Sequence, residues 1–187
     1  MAGMPPAAAR FAAFYFAYFA YLGAYGPYIT LYFDARGFSA AQIALILALP
    51  QVARIFVPAF WGWLADRTGW RRAIVAASCA STAAGLALLP SARDLTEVMV
   101  LVGMMGVFSA AALPIVEAVT LASIAGEPGR YGPIRLWGSL GFIVAVLGTG
   151  ALLDAYPAAM LIPAVVAWAV GALACAFALP SSEVFAS

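Results

Sequence analysis

The stretch GWLADRTGWRR, Gly62 to Arg72, decides how this chain folds. It lies where one long apolar run, about Ala40–Trp63, gives way to another, about Ala73–Leu89. Gly69 permits a tight turn between them. Asp66 is placed to pair with an arginine or to cap a helix end. Arg67, Arg71 and Arg72 hold the turn out of hydrocarbon, on the side of a bilayer where arginines collect. The two runs therefore read as antiparallel helices joined by a short charged loop.

The composition agrees. The chain is 66% hydrophobic and 9% charged, with a mean hydropathy of +1.01, whereas soluble domains carry about 25% charged residues. So few charges do not cover a water-facing surface, and the chain reads as an all-α integral membrane protein embedded in a lipid bilayer. A net charge of +1 gives no field that would draw nucleic acid. All nine basic residues are Arg, and there is no His. That removes the commonest metal ligand and the usual general base. Cys79 and Cys175 sit in separate apolar runs and read as small buried hydrophobes. Neither a metal site nor a cofactor is implied. The apolar run after Arg10 extends from Phe11 to Phe33, longer than the 7–15 residues of a signal-peptide core, so it reads as a membrane anchor.

Working outward, one bundle of six spans occupies residues 1–187: about 11–33, 40–63, 73–89, 98–123, 134–153 and 158–179. The breaks DARGFS, DRTGWRR, PSARD, AGEPGRYGP and DAYP carry Gly, Pro and charge. All are short, so successive spans are antiparallel neighbours. Arg10, Arg67, Arg71, Arg72 and Arg130 fall on one side, Arg36 and Arg93 on the other. This bias expects both termini in the cytoplasm of a plasma (inner) membrane. The first and fourth spans each hold Gly or Pro in their interior and each begin a set of three. Such a three-plus-three division is the pattern of inverted-repeat transporters.

Three charges lie inside spans. Glu117 is the only charge from Val98 through Gly126, Arg54 the only one between Gly37 and Ala65, and Arg135 begins a stretch uncharged through Leu153. Each costs a few kcal/mol at a helix centre, so each expects a partner or a watery cavity. Glu117 and Arg135 converge in depth across the turn between the fourth and fifth spans. They read either as a structural ion pair or as a ligand-binding pair. Arg54, flanked by Pro50 and Pro58, reads either as a salt-bridge partner of Glu117 or Asp34, or as a clamp for a carboxylate. Pro114 removes a backbone N–H three residues before Glu117.

The first span carries Phe11, Phe14, Tyr18, Tyr21, Tyr25, Tyr28 and Tyr32 at alternating spacings of three and four, one face of a helix. Tyr18, Tyr21 and Tyr25 are too deep for an aromatic belt. They either pack on other helices or line a cavity. Gly138, Ser139, Gly141, Gly148 and Gly150 of the fifth span let helix backbones approach closely.

The loop Gly62–Arg72 resembles, at every position, the signature loop between the second and third helices of the major facilitator superfamily. That resemblance implies twelve helices in two six-helix halves, of which this chain corresponds to the first. It also implies that Gly62, Asp66, Arg67, Gly69, Arg71 and Arg72 serve the conformational switch by meeting the second half. The segment PIVEAVTLASIAGEPGRYGPIRLWGSLGF resembles the fourth-to-fifth helix region of lactose permease and its relatives. There a glutamate and an arginine 18 residues apart bind sugar, and here 135 − 117 = 18. The resemblance further places Phe142 at a stacking aromatic and Tyr25 at a cavity aromatic, with Tyr21 beside it. YGPIRLWGSLGF and the Arg of VARIF are similar to the 3-phenylpropionate transporter branch.

The expectation is thus the N-terminal half of a proton-coupled symporter of a small organic acid, working by alternating access. Its partners would be a small-molecule substrate, protons and a second six-helix half, in the same polypeptide or a dimer. A sugar or nucleoside symporter, or a non-transporting scaffold or truncated remnant, remains an alternative. An enzyme is not expected: there is no His for a serine protease, no metal-ligand cluster, and a lone deep carboxylate.

Overall fold

Arginine at the ends and apolar residues between them produce a bundle whose helices lie side by side. A computed structural model describes residues 6–124 and 128–180. Its α-helices are α1 (Pro6–Tyr25), α2 (Ile29–Ala35), α3 (Ala40–Thr68), α4 (Arg71–Leu88), α5 (Leu95–Ser109), α6 (Ala112–Ser123), α7 (Tyr131–Ala155) and α8 (Leu161–Ala178), with short 3-10 turns at Leu89–Ser91, Pro128–Arg130 and Ala158–Met160. Residues 125–127 of the turn expected between the fourth and fifth spans lie outside the described residues.

These helices make six spans, because α1 with α2 and α5 with α6 are each one span interrupted. Five spans are long and apolar enough to cross a membrane by length and composition. The span of α1 and α2 is the sixth, and the tyrosines of α1 make it less hydropathic. Its break falls at Gly26–Tyr28, where Pro27 cannot continue the helix. The break in the fourth span, at Ala110–Ala111, lies just before Pro114. Pro114 is the third residue of α6, where a missing N–H leaves no helical bond unmade. The helices otherwise begin and end on local chemistry and run a few residues past the sequence-based limits. Ser39 and Gln42 form a capping box at the start of α3. Gly69, at φ 71°, closes the end of α3 in the left-handed region. Asp94 accepts from the Glu97 N–H at 2.9 Å to start α5.

The packing repeats itself. The first span packs on the fifth and sixth through α1 against α7 and α8. The fourth packs on the second and third through α5 against α3, and α5 and α6 against α4. The third and sixth meet through α4 and α8. Exchanging the first three spans with the last three maps this pattern onto itself. Each set begins with an interrupted helix, and the sets start on opposite sides of the bundle. This is the architecture of a three-plus-three inverted repeat.

Lipid tails are as apolar as leucine, so association of these helices rests on close packing rather than on escape from water. Glycine supplies the closeness. A Cβ on Gly23 of α1 would lie 2.5 Å from the Phe142 carbonyl oxygen of α7. A Cβ on Gly141 would strike the Phe16 backbone, and one on Gly106 of α5 would lie 2.8 Å from Pro50 Cα of α3. Gly148, by contrast, has no neighbouring atom within 4 Å of its would-be Cβ.

Candidate functional site

The three deep charges reach the same side of α1 at two levels. Arg135 sits one turn into α7, and Glu117 in the middle of α6. Arg135 Nε lies 3.7 Å from Glu117 Oε1. This is a single, long approach rather than a bidentate pair, so both Nη groups of Arg135 keep donors for another partner. The side chains retain 29% and 36% of their exposure, which keeps them open to a ligand. The guanidinium is held from below by aromatic faces, 4.0 Å from the Phe19 ring centroid and 5.3 Å from that of Tyr15. Tyr15 is itself fixed by donating to Thr120 Oγ1 on α6 at 3.4 Å. Gly138 completes the seat. A Cβ there would lie 2.8 Å from Arg135 Nη1 and 3.0 Å from the Phe19 ring.

Arg54 stands apart. It is exposed on α3, where its Nη1 donates to Gln51 Oε1 at 3.4 Å. It pairs with neither Glu117 nor Asp34, and among the described residues it makes no ion pair. It is within electrostatic reach of Tyr18, Tyr21 and Tyr25, while Glu117 is within reach of Tyr15 and Tyr18. Arg54 thus stands towards the Tyr25 end of α1 and Glu117 towards the Tyr15 end. Pro58 has no N–H for the Arg54 carbonyl, so α3 presents an extra acceptor at that level.

The remaining expected residues divide. Tyr18 and Tyr21 are buried, at 7% and 6% exposure, against Cys79 and Thr82 of α4 and Ala169 and Ala172 of α8. They are core residues in this structure, stacked edge-on at 6.0 Å. Tyr25 is half-buried and tilts on Tyr21 at 5.9 Å. Phe142 lies seven residues, about two turns, along α7 from Arg135; it is 38% exposed and has no ring partner among the described residues.

The charged loop is built as its sequence implies. Arg71 Nη2 meets Asp66 Oδ1 at 3.0 Å across the Gly69 turn. The Arg67 guanidinium lies 5.6 Å from the Trp63 ring centroid. Gly62, Asp66 and Arg71 border a cleft of about 200 Å³ whose far wall is Pro114, Ala118 and Ala122 of α6. Arg72 is exposed beside it. The loop and the Glu117 helix thus share one cleft.

Comparison with known proteins fixes the family. The model of the MFS_1 like family matches residues 8–186. The chain belongs to the major facilitator superfamily. It is 32% identical over 152 residues to the maltose permease of Geobacillus stearothermophilus, covering 79% of this chain and 39% of that protein. It is 30% identical over 139 residues to the uncharacterized transporter YwbF of Bacillus subtilis strain 168, covering 73% of this chain and 35% of that protein. An uncharacterized MFS-type transporter of Mycobacterium tuberculosis is 28% identical over 152 residues. The chain therefore spans little more than a third of the length of these curated relatives, which are transporters rather than enzymes. No solved structure matches it.

Within this superfamily half, four contributors escaped the sequence reading. Tyr15 and Phe19 form the aromatic seat of Arg135. They are four residues apart, and thus also lie on one helix face, but the longer stripe through Tyr18 and Tyr21 drew attention from them. Trp61 and Ser78 tie the interruption of the fourth span to its neighbours. Trp61 Nε1 donates to the Val107 carbonyl at 2.9 Å, and Ser78 Oγ to the Phe108 carbonyl at 2.7 Å. Both carbonyls lie in the last turn of α5, where helical donors run out.

Proposed function

We propose that the chain is the N-terminal half of a transporter that moves a small organic anion, of the phenylpropionate kind, across the inner membrane in symport with protons. The observation that carries this reading is Arg54: a guanidinium deep in a span with no acidic partner, while Glu117 is already engaged by Arg135. The site then holds two cations and one anion, an excess of one positive charge that a carboxylate neutralises. A guanidinium grips a carboxylate through two parallel hydrogen bonds. In this reading Arg54 takes the carboxylate, Tyr25 borders the path to it, and the free Nη donors of Arg135 with Glu117 orient the other end of the solute. Phe142 offers its ring from the exposed side of α7. Protonation of Glu117 would release Arg135, which gives proton coupling a place to act.

The second six-helix half, in the same polypeptide or a partner copy, would close over this face. Alternating access would rock the two bundles about the site, with Gly62, Asp66, Arg67, Gly69, Arg71 and Arg72 meeting that half at the cytoplasmic end, beside both termini. A second reading, sugar symport, is favoured by the similarity to a maltose permease and by the Glu117–Arg135 pair, which suits hydroxyl groups.

Uptake of labelled 3-phenylpropionate and of maltose into vesicles containing the full-length parent separates these readings. The organic-anion reading expects phenylpropionate uptake driven by an inward proton gradient, stopped by a protonophore, and lost on Arg54→Gln, Glu117→Gln or Arg135→Ala. Maltose uptake that survives Arg54→Gln would favour the sugar. Uptake of neither by the unaltered parent overturns both.

A further inference from the structure

A second cleft lies away from the charges. It measures about 480 Å³ and runs between α7 and α8 over α1. Both helices pack on α1 far more than on each other, and small residues leave the gap between them. Ala9 and Ala13 of α1 and Gly171 of α8 form its floor, and Trp137 and Trp168 its walls. Phe16 sits between the two indoles, 6.4 Å and 6.1 Å from their ring centroids. At 100° per residue, Ala9, Ala13 and Phe16 lie on the side of α1 roughly opposite Tyr18, Tyr21 and Tyr25. The groove therefore opens away from Tyr25, the residue that borders the solute path in the proposed function.

We infer that this groove holds an acyl chain of an anionic phospholipid, whose headgroup is taken by Arg10. An apolar groove does not hold ordered water, which needs polar partners. Left empty, it forfeits the dispersion contacts of its lining. Charge selects the occupant. Arg10 precedes Ala13 and Ala17 by three and seven residues, and so borders the same face of α1. It is exposed, with no ion pair among the described residues. It stands at the end of the bundle that also carries Arg67, Arg71, Arg72 and Arg130. That is the side on which the membrane presents anionic headgroups, and basic sites between spans there bind them.

The test delipidates the purified protein, re-equilibrates it in micelles with phosphatidylglycerol or phosphatidylcholine, and counts retained lipid by native mass spectrometry. Gly171→Leu fills the groove without a clash, since a Cβ at 171 meets only Ala17 Cβ at 4.0 Å. Ala13→Leu is a second filling variant, should the first misfold. The expected result is at least threefold more phosphatidylglycerol than phosphatidylcholine on the unaltered protein. Either filling variant should lower retention of both lipids at least threefold. Arg10→Gln should equalise the two lipids without lowering phosphatidylcholine. Equal retention of the two lipids by the unaltered protein, or full retention by both filling variants, overturns the inference. So does a filling variant that changes only the oligomeric state, which would assign the groove to a second copy of the chain.

Discussion

The helices α1 and α3 are both long and both apolar, yet their surroundings are opposite. Of the 20 residues of α1, eleven are buried. Of the 29 residues of α3, only Ile46 and Ala65 are, and Ile55 and Phe56 are about 70% exposed. The tyrosine helix, charged only at Arg10 near its start, is the hub on which α7 and α8 pack, whereas the helix carrying Arg54 in its middle is the bare one. In a bilayer such apolar exposure has little energetic penalty, so a bare helix is not an unstable one. The difference separates two jobs. α1 holds the half-bundle together, and α3 presents a face to whatever lies outside it.

Five substitutions sharpen or break this division, the largest effect on stability first, with Gly62→Leu as the control for Gly141→Leu. Gly141→Leu on α7 forces a side chain into the Phe16 backbone of α1. It should destabilise the bundle by about 3 kcal/mol or more, at the upper end of overpacking effects, read as loss of monodisperse protein and a lower Tm. Gly62→Leu on α3, where a Cβ meets nothing within 4 Å, should leave Tm unchanged. Equal effects at the two glycines would erase the contrast between the helices.

Trp61→Phe keeps the contact with Phe108, now 5.7 Å between ring centroids, but leaves the Val107 carbonyl without its donor. A loss of about 1–3 kcal/mol is expected if the interruption is dry, and near zero if water replaces the indole. Chemical denaturation in detergent distinguishes the two. Asp66→Asn removes an ion pair whose aspartate is 75% exposed. Its stability effect should stay below about 1 kcal/mol, so any large loss of transport would come from the switch and not from folding. Gly138→Ala should change ligand affinity more than Tm, because the added Cβ displaces the Arg135 guanidinium, the far end of a flexible side chain. Wild-type affinity in this variant would detach Arg135 from the site.

Much of this division was legible in the residues. Hydropathy and the turn chemistry of the DRTGWRR and PSARD breaks, with Gly69 and Asp94, mark where spans start and stop, because those signals are local. The spacing 135 − 117 = 18 across one short turn places Glu117 and Arg135 at matching depth, and the structure sets them in contact at 3.7 Å. Other features depend on partners that no local pattern names. The interruption at Ala110–Ala111 lies in a run of alanines and is held by Trp61 and Ser78 from other helices. For Tyr18 and Tyr21 the sequence leaves packing and a cavity equally open, and the structure covers them with α4 and α8. Gly138, Gly141 and Gly148 look alike in sequence, and only the first two face α1.

The central claim is that Arg54 and the Glu117–Arg135 pair bind one organic anion. A ligand that binds only the folded state stabilises it by about 2.7 kcal/mol at one hundred times its Kd. The most direct measurement is therefore the thermal shift that saturating 3-phenylpropionate produces in the purified full-length parent and in its Arg54→Gln variant. The account expects a clear rise in Tm for the parent and none for the variant, with unliganded Tm values that agree. An equal rise in both proteins would contradict it.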